Sequence, residues 1–297
     1  MMNKIHIIMG KIHIITVSTG TYNNFLTDFV NSVFEVLIPK LSKFDTDLII
    51  ISDENYIHEN KQYNNKIKNY HIVNSVYPIV IFNKFLYVFD TYKVFNYDLS
   101  DKFIFVDVDS LFVKESNYDD IISDILNYDM IFSLSPWVCH PLSTIYYRNY
   151  NISINENPKK WSAGYRKNVS KNNFIQSSFL ISDGISLCKL NNVIYNYASF
   201  DLNNNVRGRY IPEYIEQVYV NKFLDEQLNN NNIIIPDCKI KVDNYISNDY
   251  NNDYQNNFQS FKKVILEELS DKVFVTQKYN TKLKESKRNV VDFNIDE

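Results

Sequence analysis

Apolar runs and polar gaps alternate along the first half of the chain with the periods of strands and helices. "KIHIITV" (11–17) is β-rich and almost continuously apolar, and a turn follows at Gly20. "NNFLTDFVNSVFEVLI" (23–38) sets Phe25, Phe29, Val33 and Leu37 on one helical face, with Pro39 at its end. "TDLIIISD" (46–53) reads as a buried strand, "NYHIV" (69–73) as a short one, and "FNKFLYVFDTYKVF" (82–95) as a helix. "KFIFVDVD" (102–109) is again a strand, "YDDIISDILN" (118–127) a helix with two acids in its first turn, and "DMIFSL" (129–134) a strand. Such alternation predicts an α/β fold with a mostly parallel sheet and helices on both faces. Buried parallel strands read as unbroken apolar runs, as these do.

From about residue 137 the pattern loosens into long polar and aromatic stretches around "NFIQSSFLIS" (173–182) and "PEYIEQVYVNKFL" (212–224). The second of these is helical, with Pro212 in its first turn. The tail "KYNTKLKESKR" (278–288) is basic. We therefore expect an N-terminal extension over 1–10, one domain over 11–277 and a mobile basic tail over 278–297. Within the domain, a ligand-binding part spans about 11–115 and a second part about 116–277.

Composition narrows the function classes. At 297 residues with 45% apolar content, the chain builds one sizeable core. A net charge of -4 argues against nucleic acid as a partner. Cys139, Cys188 and Cys238 form no C-x-x-C pair, so neither a zinc ribbon nor a disulfide framework is expected. Only five glycines occur, and they compose neither a dinucleotide fingerprint nor a phosphate-binding loop. No apolar stretch is long enough to span a bilayer, so a soluble, cytoplasmic protein is expected.

Candidate chemistry then centres on Asp107 and Asp109, placed where the strand over 102–109 ends. Open parallel sheets bind ligands at the carboxyl ends of their strands. On extended backbone the two side chains would point to opposite faces, so a turn is needed to bring both to one ligand. Such a pair suits Mn²⁺ or Mg²⁺ with water and phosphate oxygens filling the other positions. The same D-x-D also occurs in Mg²⁺ phosphohydrolases, but there it follows the first strand of the domain.

An ordered series of segments resembles family 6 glycosyltransferases, the group of the ABO blood-group and α-1,3-galactosyltransferases and their shorter bacterial relatives. "TVSTGTYNNFLTDF" (16–29) is similar to their opening strand, T-G-x-Y turn and aromatic helix; "LIIISD" (48–53) resembles their F-T-D strand end, and "FVDVDSLF" (105–112) their D-V-D segment. "CHP" (139–141), "NENPKKWSAGY" (155–165), "FIQSSFLIS" (174–182) and "VNKFL" (220–224) follow in the family's order, so the resemblance covers roughly residues 11–290.

The resemblance implies a GT-A fold, a Rossmann-like nucleotide-diphospho-sugar transferase. It also implies a UDP-sugar donor, a glycan acceptor, Mn²⁺ or Mg²⁺ held by Asp107 and Asp109, and transfer with retention of configuration. Carried over by position, Val17, Ser18 and Tyr22 hold the uracil and Lys84 faces the donor. Asp107 is shared between donor and metal. Gln176, Ser177 and Ser178 fall on the donor-selecting triplet, and His140 on the acceptor side. Lys278, Lys284 and Arg288 match the basic tail that covers the diphosphate.

The catalytic helix departs from the pattern. Counting back from Asn221 puts Glu216 and Gln217 on the family's Asp-Glu pair. Counting forward from "DLNNNV" (201–206) puts Glu213 on the catalytic position instead. Both alignments stay open, and with them a nucleotide-sugar-binding protein that has lost its chemistry.

Overall fold

The computed structural model describes residues 10–73, 79–134, 175–203, 215–229, 233–250 and 275–279. A seven-stranded sheet forms its centre. The strands are β1 (Ile12–Ser18), β2 (Thr46–Ser52), β3 (Ile67–His71), β4 (Lys102–Val106), β6 (Met130–Leu134), β7 (Ile175–Asp183) and β8 (Ile240–Asp243), in the spatial order β3-β2-β1-β4-β7-β6-β8. β1 runs parallel to β2 and β4, β2 to β3 and β6 to β8, while β7 is antiparallel to both of its neighbours. The result is a mixed, mostly parallel α/β sheet. A second, three-stranded sheet joins β5 (Ser110–Phe112), β10 (Val275–Tyr279) and β9 (Ile246–Tyr250) in the order β5-β10-β9.

The period-2 alternation of the strands sorts side chains into two cores. On one face Ile12, Ile14, Ile50, Ile104, Val106 and Phe179 meet Phe29, Val30 and Val33. The first two of these belong to α1 (Leu26–Ser32), and Val33 begins a π turn (Val33–Leu37) that leads into a final turn, Ile38–Lys40. Ile121 and Ile125 of the helix Tyr118–Asn127 complete that layer. On the other face Ile15, Ile49, Ile51, Phe103, Phe105 and Leu180 meet three helices, α3 (Ile79–Val94), α5 (Gly184–Asn203) and α6 (Ile215–Asn229). Numbered with them, α2 is the short helix Lys61–Asn64 and α4 is Tyr118–Asn127. All seven residues of β2 are buried, as its "TDLIIIS" run requires of a strand covered on both sides.

The helix expected over 23–38 runs unbroken from Leu26 to Lys40, with a π turn inside it and a 3₁₀ turn before it. Gly20–Phe25 is a 3₁₀ turn, α1 is two turns long, and the π turn follows. Phe29, Val33 and Leu37, spaced four apart, are all completely buried. The π turn keeps this i, i+4 stripe facing the sheet where 3.6 residues per turn would let it drift away. Pro39 lies in the closing turn, one residue before the helix ends. No helix among the described residues is long and apolar enough to cross a membrane.

A charged network ties the amino ends of the strands. His13, with no exposure at all, donates from Nδ1 to Asp47 Oδ1 at 2.6 Å, and its Nε2 lies 3.4 Å from Asp101 Oδ2. Asp47 Oδ2 accepts from Tyr97 Oη at 2.7 Å and pairs with Lys68 Nζ at 2.9 Å. Burial alone would raise the Asp47 carboxyl, but the His13 hydrogen bond and charge, with Tyr97 and Lys68, reverse that and hold it well below the usual range.

Candidate functional site

The sheet reverses its strand order between β1 and β4. From β1 the chain builds outward through β2 to β3, returns through α3, and lays β4 on the other side of β1. Such a switch point opens a crevice at the carboxyl ends of the two strands, where open α/β sheets take their ligands. Val17 and Ser18 close β1 at this place, and Asp107 and Asp109 follow β4 directly. The β1–β4 register pairs Ile15 with Phe105. Carried two positions on, it brings Val17 level with Asp107.

The turn that the paired aspartates need is present. Ser110 N–H donates to Asp107 O at 3.1 Å, closing a four-residue turn over "DVDS", and Asp107 N–H donates to Ser178 O at 2.9 Å. The extended alternation of β4 thus stops at Val106, and both carboxylates belong to one turn. The Asp107 side chain is 34% exposed and Asp109 is buried.

Lys84, from α3, reaches this turn from the side. It is only 3% exposed, yet its Nζ lies 3.7 Å from Asp107 Oδ1 and donates to Ser177 Oγ at 3.2 Å. The Phe85 and Phe105 rings flank the ammonium, each centroid 5.4 Å away. A buried ammonium persists only where such partners replace its water. Lys84, Asp107 and Ser177, far apart in sequence, are therefore brought together.

Among the described residues, Thr16 Oγ1, Ser110 Oγ, Ser178 Oγ and His58 Nε2 are the buried side-chain polar atoms without a hydrogen-bond partner. Ser110 closes the Asp107–Ser110 turn and Ser178 holds its first residue through the backbone, so two of these hydroxyls adjoin that turn. Leaving a buried hydroxyl without a hydrogen bond costs about 1–3 kcal/mol.

Asp107 and Asp109 belong to one turn, and no group of three or more His, Cys, Asp and Glu that could hold a metal ion is gathered among the described residues. A hard divalent ion held mainly by water and phosphate oxygens needs only one or two protein carboxylates.

Beyond β5 the chain returns to the site in β10. Gln277 pairs with Ser110 in an antiparallel ladder, so the next residue, Lys278, falls level with Asp109. The 277/278 boundary of the expected tail lies inside this strand. Gln176 and Ser177 are on β7, with Gln176 opposite Ser133 of β6 where the ladder shifts register. Ser177 and Ser178 are each 3% exposed. Glu216 and Gln217 are in the first turn of α6. His140, Glu213, Lys284 and Arg288 lie outside the described residues.

Tyr22 is half-buried and tilted against Phe25, ring centroids 6.0 Å apart. Ser18 is buried, and its hydroxyl donates to Asn23 Oδ1 at 2.7 Å. Asn23 Nδ2 in turn donates to Asp53 Oδ1 at 3.1 Å, and Gly20 N–H donates to Asp53 Oδ2 at 3.0 Å. Gly20 has φ 55, a conformation that favours glycine. Asp53 and Asn23 were not read from the sequence as site residues. The one available signal was an aspartate directly after a fully buried strand.

Asn221 holds α6 to β7, with Oδ1 accepting from Ile175 N–H at 2.8 Å and Nδ2 donating to Ile175 O at 3.2 Å. Gln217 lies one helical turn earlier.

No protein-family model matches the chain, and no curated protein matches it in sequence.

Proposed function

We propose that this chain is a metal-dependent, retaining glycosyltransferase with a GT-A fold. It moves a hexose or N-acetylhexosamine from a UDP-sugar to a glycan hydroxyl in α linkage. The observation that carries this reading is the Asp107–Ser110 turn at the β1/β4 switch point, with Lys84 against it and buried hydroxyls around it. The mixed sheet and the ordered resemblance of the sequence add support. The D-x-D follows the fourth strand of the chain, which favours this reading over a phosphohydrolase.

In this reading Val17, Ser18 and Tyr22 bound the uracil site, the Tyr22 ring offering a stacking face. Asp107 and Asp109 hold Mn²⁺ or Mg²⁺, which when bound neutralises charge growing on the leaving diphosphate. Lys84 adds a fixed positive charge beside Asp107, and Lys278, Lys284 and Arg288 supply further cations. Gln176, Ser177 and Ser178 meet the sugar hydroxyls, and His140 lines the acceptor side. Gln217 or Glu216, or Glu213 in the other alignment, faces the anomeric carbon. A glutamine is a poor nucleophile, but its carbonyl oxygen stabilises an oxocarbenium-like centre. The bond from the anomeric carbon to the diphosphate oxygen breaks, and the acceptor oxygen bonds to the same face. The acceptor's proton passes to a phosphate oxygen of the departing UDP.

The test is Asp109→Asn. Transfer from UDP-sugars to a glycan panel is lost while the circular dichroism spectrum and melting curve stay those of the parent protein. Retained turnover in a folded variant contradicts the proposal. A second reading rests on Gln217: a UDP-sugar-binding protein without chemistry. It predicts metal-dependent UDP binding with neither hydrolysis nor transfer.

A further inference from the structure

We infer that Asp53, acting through Asn23 and Gly20, is a positioning residue that sets the shape of the nucleoside-binding turn. The inference rests on the UDP-sugar reading above and extends it to residues outside the expected site. The Asp53 carboxylate, at the carboxyl end of β2, reaches across to the segment after β1. Its Oδ2 accepts from Gly20 N–H at 3.0 Å and its Oδ1 from Asn23 Nδ2 at 3.1 Å. Asn23 Oδ1 accepts from Ser18 Oγ at 2.7 Å.

Each link has a geometric consequence. Gly20 is at φ 55, and its N–H is directed at β2 by the carboxylate. Tyr22 N–H donates back to Thr19 O at 3.2 Å, so the turn that carries the Tyr22 ring is built on the Gly20 conformation. The asparagine is oriented by having a pure acceptor on one side, because an ionised carboxylate only accepts. Asn23 therefore turns its amide nitrogen to Asp53 and its oxygen to Ser18. That commits the Ser18 proton to Asn23 and leaves Ser18 Oγ as an acceptor.

Stability does not account for this network. Gly20 is exposed, Asp53 and Asn23 are half-buried, and hydrogen bonds in such places contribute little to folding. What the network fixes is the conformation of a turn beside the ligand crevice. Its effect is on the nucleoside end of a ligand and not on the diphosphate end, which belongs to the Asp107–Ser110 turn.

The experiment is calorimetric titration of the full chain with UDP and, separately, with inorganic pyrophosphate, both with Mn²⁺. The parent is compared with Asp53→Ala, Asn23→Ala and Asp53→Asn. Asp53→Ala and Asn23→Ala weaken UDP roughly tenfold, the loss of one to two oriented hydrogen bonds, and leave pyrophosphate within twofold. Asp53→Asn recovers only part of the UDP affinity: Asn23 can turn over and keep the Gly20 turn tied, but Ser18 then accepts from Asn23 and no longer has its proton committed there. Unchanged UDP affinity in Asp53→Ala, or an equal loss of UDP and pyrophosphate, overturns the positioning role alone. Absence of UDP binding to the parent protein overturns the UDP-sugar reading, and this inference with it.

Discussion

The Lys84 ammonium lies 3.7 Å from a carboxylate oxygen of Asp107, though the lysine is almost wholly buried and the aspartate is one-third exposed. The helix α3 thus delivers a fixed positive charge to the base of the D-x-D turn. Because the interior around Lys84 is apolar, with Phe85 and Phe105 flanking Nζ, that charge is screened less than one in water.

Lys84→Met separates the two roles of this residue. Methionine fills similar volume without a buried charge, so folding stability changes by about 1 kcal/mol or less, in either direction. Transfer activity falls roughly a hundredfold, the usual scale for losing one preorganised electrostatic partner of a transition state. Urea denaturation and a UDP-release assay on the same preparation check both expectations.

The opposite end of the sheet governs acid stability. The folded state holds the Asp47 carboxyl well below its usual range, through His13, Tyr97 and Lys68 acting against burial. The unfolded chain takes up this proton first, near the ordinary value of about 3.9. Asp47 therefore contributes stability above that pH, and the contribution is lost as pH falls through and below it. Asp47→Ala removes about 2–3 kcal/mol at pH 7, because it leaves His13 Nδ1 without its buried hydrogen-bond partner. It also flattens the decline of stability below pH 4. Urea titrations of both proteins across pH 3 to 7 measure the difference.

Asn221 joins α6 to the sheet. Asn221→Ala leaves both the N–H and the C=O of Ile175 without their side-chain partner in a buried place. The expected cost is about 2–3 kcal/mol. Hydrogen exchange at the amide of Ile175 accelerates by more than global unfolding alone accounts for.

The elements that could be read from the sequence are those with clean contrast. "TDLIIIS" and "YDDIISDILN" fall within a residue of the strand and helix they form, because apolar runs are cut off sharply by polar neighbours. β8, β9 and β10 were not read. The residues of β8 are all half-buried, and "ISNDY" and "VTQKY" mix polar and apolar positions in a segment rich in both. α5 was hidden for a related reason. Its buried stripe of Leu187, Leu190 and Ile194 is interrupted by asparagines and tyrosines that share the same turns.

The site divides in the same way. Two aspartates after an apolar strand are a local signal, so Asp107 and Asp109 stood out. The approach of Lys84 to Ser177 spans 93 positions and that of Asp53 to Asn23 spans 30, and no spacing rule encodes either. Both depend on which elements become neighbours, β1 beside β2 for Asn23 and Asp53, and β7 beside β4 for Lys84 and Ser177, and not on any single segment.

The most direct test of the central claim is a thermal-shift series with UDP- and GDP-sugars, each with Mn²⁺ and with EDTA. At about 100 times its Kd a ligand adds roughly 2.7 kcal/mol of stability, a readily measured rise in Tm. A UDP-sugar in Mn²⁺ is expected to stabilise the protein, and the rise is expected to disappear in EDTA and in Asp109→Asn. Equal stabilisation in EDTA, or none with any nucleotide sugar, would contradict the claim.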